Sequence, residues 1–76
     1  MIRNHFKRLL AEREFSESRV ISIKEVSEVT GIHRNTLTKF ANERGYNAGL
    51  DIVDKLCSYF SCSVDALIEH VPDTKS

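Results

Sequence analysis

The chain has no long hydrophobic run: no apolar stretch exceeds three residues (Leu9 to Ala11, Ala66 to Ile68). A secretory signal needs an apolar core of roughly 7–15 residues and a membrane helix roughly 20, so both are excluded. Cysteine is scarce. Cys57 and Cys62 stand five positions apart with serines nearby, which is no disulfide framework and points to a reduced, cytoplasmic protein. With His70 they fall short of the ligand number and close spacing of a structural zinc site, so they are expected as buried core thiols and no metal is expected. Glycine-rich phosphate loops are missing. No strained turn, oxyanion loop or orienting acid accompanies the thiols or His5, His33 and His70. A chain of 76 residues has little room for a substrate pocket, so no enzyme activity, cofactor or small-molecule substrate is expected.

Net charge is also lacking, with eleven Lys/Arg against eleven Asp/Glu. The distribution is uneven. Residues 1–44 hold nine basic and six acidic side chains, and residues 45–76 hold two and five. A dipolar domain can present a basic face while its total stays neutral.

What is present is helical periodicity. Hydrophobic residues make up 41% of the chain, which suits one small globular domain that buries roughly 60% of its unfolded surface. Five helices and no strands are predicted. Ile2, Phe6, Leu9, Leu10 and Arg13 follow a helical stripe, placing helix one from Ile2 to Glu14. Phe15 to Ile21 reads as a connection, with Val20 and Ile21 tucked against the core. Ser22 and Glu25 form an S-x-x-E capping box that starts helix two. Helix three runs from near Arg34 to near Arg44, with Gly45 as its C-terminal cap. Leu50, Val53, Leu56, Cys57 and Phe60 form the stripe of helix four, with Gly49 at its N-cap. Ser63 caps a short fifth helix from Val64 to about Glu69. Pro72 ends any helix, so the domain is expected over residues 1–71, with a flexible tail over 72–76.

Ser22 to Asn42 carries the sharpest signal. Val26 and Val29 lie on one face of a first helix, Leu37 and Phe40 on one face of a second. Ile32 plugs the angle between them. Gly31 falls where a sharp turn needs positive φ. Two helices crossed over a short glycine turn make a helix-turn-helix, whose second helix can enter a DNA major groove. With Val29, Ile32, Leu37 and Phe40 inward, Arg34, Asn35, Thr38 and Lys39 point outward. Arg matches the guanine O6/N7 edge, Asn the adenine N6/N7 edge, and Thr the thymine methyl. The same residue types suit a plain solvated face; their place in this motif favours base contact. His33 reaches a base or phosphate, or caps helix three. The N-terminus of helix two, at Ile23 and Lys24, is suited to phosphate.

The runs KEVSEVTGIHRNTLTKFAN and DIVDKLCSYFSCSVDALIE resemble the Cro/CI-type helix-turn-helix family, also called lambda repressor-like or XRE-like domains. Coverage is from about Ile2 to Glu69. The resemblance implies an all-α five-helix fold and a prokaryotic or phage regulator that binds double-stranded DNA. It also implies a homodimer on an inverted-repeat operator, and places Asn42, Tyr46 and Asn47 on the sugar-phosphate chain; the alternatives are a core or turn residue for Tyr46 and a plain loop former for Asn47. Three features depart from the family: Ser27 where alanine is usual, His33 where a serine cap is common, and a longer connection after helix one. Val64, Ile68 and Val71, with Tyr59 beside them, remain as an apolar strip suited to a dimer contact, the alternative being that half of them complete the small core. The function expected is that of a transcriptional repressor. The alternative is a protein-interaction module on the same fold, antitoxin-like or accessory.

Overall fold

In the computed structural model, Ile2–Asn4 is a strand, β1, and not the first turn of a helix. The structure describes residues 1–43 and 46–72. After β1 come α1 (Phe6–Glu17), α2 (Ile23–Thr30), α3 (Arg34–Asn42), α4 (Leu50–Phe60), α5 (Val64–Leu67) and β2 (Ile68–His70). The five predicted helices are all present, and a two-stranded sheet is added. β1 pairs antiparallel with β2, Ile2 opposite His70, Arg3 opposite Glu69 and Asn4 opposite Ile68. The His5 amide extends the ladder to Leu67 O (2.7 Å) and the Val71 amide to Met1 O (2.8 Å). This pairing shortens two predicted helices: the first begins at Phe6 and the fifth ends at Leu67. The Asn4 carboxamide accepts the Phe6 amide at 3.1 Å, which ends the strand and starts α1.

α1 continues through Phe15, Ser16 and Glu17, which were expected in the connection. No glycine or proline interrupts it there. It ends at Ser18, whose φ of 54° is left-handed. The shorter connection is tied down at both ends. Glu14 accepts the Ile21 amide at 2.8 Å. Arg19 bridges Glu17 (2.8 Å) and Glu25 (2.8 and 2.6 Å), joining the end of α1 to the first turn of α2. Ile21 is buried as expected, but Val20 is 84% exposed.

The core is Phe6, Ile21, Val26, Ile32, Leu37, Phe40, Val53, Leu56 and Leu67. Phe6 is fully buried and meets Phe40 and Phe60 edge-on, with ring centroids 6.1 and 5.8 Å away. Besides Val20, three residues read onto the apolar faces lie outside it: Ile2 is 51%, Val29 66% and Leu50 84% exposed. In α2 the inward line is Ile23, Val26 and Thr30, and Ile32 is buried in the turn as expected. Leu50 is the first residue of α4, one turn beyond the core-facing Val53.

α4 ends at Ser61 in the left-handed region, where the Ser61 and Cys62 amides both reach Cys57 O. This closure sets the two thiols side by side, free and half-buried against the core. Burial, the neighbouring Cys62 and Asp54 together push the Cys57 thiol above its ordinary pKa. Among the described residues, no three potential ligands gather for a metal ion. No helix there is long and apolar enough to cross a membrane. Ser63 occupies the N-cap of α5, but its hydroxyl donates to the Asp65 carboxylate (2.6 Å) and caps no amide. The expected Gly45 cap, Arg44 and the tail from Asp73 lie outside the described residues.

Candidate nucleic-acid interface

Gly31 turns the chain between α2 and α3 at φ 78°, and its amide bonds back to Ser27 O at 2.8 Å. The next peptide is held by side chains. Ser27 donates to Ile32 O (2.5 Å), and Thr30 donates to Val26 O (2.7 Å) while accepting the Ile32 amide (3.2 Å). The departure at Ser27 therefore adds a bond across the turn that an alanine could not make. Ile32 is buried beneath it. A turn this short, with the Gly31 amide and both polar groups of Ile32 paired, fixes the angle at which α3 leaves α2.

α3 is anchored on one face by Leu37 and Phe40, both buried. His33, Arg34, Asn35, Thr38 and Lys39 are exposed. His33 holds the N-cap position without a side-chain cap bond, so the ring is not used to start the helix. At the other approach, Ser22 accepts the Glu25 amide at 3.1 Å. Only half the expected capping box forms, because the Glu25 carboxylate turns to Arg19. Hydrogen bonds from Arg19 hold the Glu25 carboxyl below its ordinary pKa. The Ile23 and Lys24 amides precede the first ladder bond of α2, from the Val26 amide to Ser22 O. Ile23, Lys24, His33, Arg34, Asn35 and Thr38 line one open cleft of about 530 Å³. The structure thus brings the base-edge candidates and the phosphate candidates of α2 onto one surface.

The remaining candidates divide. Lys39 and Asn42 continue the exposed side of α3, and the Asn42 side chain donates through Nδ2 back to Thr38 O at 3.0 Å. Asn47 is exposed, whereas Tyr46 is half-buried against the core. Of the apolar strip, Val64 is exposed. Ile68 and Val71 are half-buried, Ile68 in β2 and Val71 bonded to Met1. Tyr59 packs on Phe60 and lies under the Arg13 guanidinium, 4.5 Å from its ring centroid. Arg13 also donates to Tyr59 O.

One residue at the base of α3 carried no sequence signal. Asn4 in β1 donates its side-chain amide to Phe40 O at 2.7 Å. Such a contact leaves no trace in local periodicity.

A two-helix unit with Ile32 buried beneath a short glycine turn and an exposed polar face on its second helix is a helix-turn-helix DNA-binding domain. The family profile for the Cro/C1-type helix-turn-helix DNA-binding domain matches residues 5–73, and the chain belongs to that family. No curated protein and no solved structure gave a match to the chain.

Proposed function

We propose that the protein is a sequence-specific transcriptional regulator, a repressor that acts by occupying an operator. The observation that carries this reading is the shared cleft in which Arg34, Asn35 and Thr38 stand beside Lys24 and the first turn of α2. α3 is the recognition helix, with His33, Arg34, Asn35, Thr38 and Lys39 reading base edges. Ile23 and Lys24, through amides and charge, hold phosphate with Asn42, Tyr46 and Asn47. The DNA-binding unit is residues 1–71. It works as a homodimer on an inverted repeat, through a surface containing Val64, Ile68, Val71 and Tyr59.

Selection of bound duplexes from a random pool tests this directly. The expected result is a palindromic consensus. Recovery of unrelated sequences would remove sequence-specific reading. A consensus without symmetry would remove the two-fold operator alone. Phe15 and Val20, 88% and 84% exposed at the end of α1, favour a second reading as a protein-interaction module. That reading takes over if the selection fails.

A further inference from the structure

The two ends of one carboxamide serve two elements. Asn4 Nδ2 donates to Phe40 O in the last turn of α3 at 2.7 Å, and Oδ1 accepts the Phe6 amide at the start of α1 at 3.1 Å. A carbonyl can only accept and an amide N–H only donate, so these partners fix which end of the side chain is which. The Asn4 backbone is itself locked opposite Ile68 in the ladder. Phe40 O is one of the last four carbonyls of α3, which have no partner within the helix. Lys39 O is taken by the Glu43 amide at 2.8 Å. Phe40 O is taken by a side chain 36 positions away in the sequence. The opposite end of α3 has no side-chain cap. α3 is therefore seated on the core by Leu37 and Phe40, joined to α2 through the short Gly31 turn at the end that carries Arg34 and Asn35, and tethered to β1 at its C-terminal end. The family match begins at residue 5, so β1 and Asn4 lie outside it.

We propose that Asn4 is a positioning residue for DNA reading: by capping Phe40 O it sets how far the N-terminal turn of α3 projects into the groove. This rests on α3 being the recognition helix. Apolar packing fixes the rotation of α3 but is non-directional and opposes axial sliding weakly. A short hydrogen bond from a strand-locked residue opposes sliding directly. A bidentate Arg or Asn contact to a base edge fails when its distances drift by a few tenths of an ångström. A lysine on phosphate tolerates the same drift. Loss of the tether should therefore damage discrimination more than general affinity.

The test uses the full chain with two variants. Asn4→Asp keeps an acceptor for the Phe6 amide and loses the donor to Phe40. Asn4→Ser can cap the Phe6 amide but is too short to reach Phe40. Amide hydrogen exchange is measured on the free protein, and affinity is measured on the selected duplex and on a random duplex at one salt concentration. Both variants should keep the wild-type circular dichroism. Exchange in Ala41 to Glu43 should rise about 3- to 10-fold, the scale of one lost hydrogen bond, with α4 unchanged. The cognate-to-random affinity ratio should fall about tenfold, with random-duplex affinity within about twofold. Unchanged exchange in α3 overturns the tether. Raised exchange with an unchanged ratio overturns the positioning role, as does an equal loss on both duplexes. Unfolding of both variants would make Asn4 a folding residue only and would also overturn it. A wild type that prefers no duplex removes the DNA reading and the positioning role with it, while the exchange arm still decides whether Asn4 holds α3.

Discussion

At the scale of single residues, Gly31 is constrained by backbone conformation and not by space. A β-carbon built there meets no atom within 4 Å, but its φ of 78° is one that L side chains rarely adopt. The penalty is about 1–2 kcal/mol, which in a domain of this size lowers the melting temperature by about 5–15 °C. Gly31→Val should show that loss in a thermal melt. Gly31→Asn should lose much less, because Asn tolerates the left-handed region. Equal loss for both would mean that the turn is sensitive to bulk. Arg34 and Lys24 line one cleft but are assigned different work. Arg34→Ala should cost about 1–3 kcal/mol on the selected duplex and relax preference at one base pair. Lys24→Ala should weaken selected and random duplexes alike. Competition titrations separate the two, and an equal loss for Arg34→Ala on both duplexes would make it a phosphate contact.

At the scale of elements, the joint between α1 and α2 is ionic. Arg13 and Arg19 hydrogen-bond the Glu17 carboxylate, and Arg19 that of Glu25, and both carboxyls are held below their ordinary pKa. Such groups add stability above their unfolded pKa of about 4.3 and lose it as pH falls through the lowered folded value. The melting temperature should therefore fall on acidification from about pH 5 to pH 3. Glu25→Gln should melt below wild type at pH 7, and the two curves should converge once the glutamate is protonated. The pair is exposed, so the gap at pH 7 should be small and should shrink further in high salt. A gap that is the same at every pH would show that the contact does not depend on charge.

At the scale of the whole molecule, the proposed homodimer would bring two recognition helices to one duplex. A two-fold dimer on B-DNA sets them about 34 Å apart, so half-site centres should lie roughly 10 base pairs apart. Val64 is the strip residue to test, because it is exposed while Ile68 supports the sheet. Val64→Glu should remain folded by circular dichroism, sediment as a monomer and bind the operator much more weakly. A wild type that is monomeric at high concentration would leave assembly on DNA as the surviving form of the idea. Affinity should fall with salt at a log–log slope of roughly −0.9 for each phosphate neutralised. A flat response in a gel-shift titration would remove Lys24 and the α2 amides as phosphate contacts.

The helix-turn-helix was legible because everything that specifies it lies within about twenty consecutive residues: the Ser22 cap, the spacing of Val26, Leu37 and Phe40, and a glycine where the turn takes positive φ. The exposed face of α3 followed from the same spacing, since a buried stripe dictates what lies opposite it. Val29 and Leu50 were misplaced because periodicity reports which face is apolar and not whether a neighbour reaches far enough to cover it. The capping box was half right because Glu25 had a stronger partner in Arg19, six positions upstream. The terminal strands were read as helix because their pairing joins Asn4 to Ile68, and three residues alone carry no period that separates the two. The sequence by itself determined the family, the helices and the candidate reading face, all products of local spacing. Only the tertiary structure decided the ribbon, the true core and the hold of Asn4 on α3, because each depends on residues that folding alone brings together.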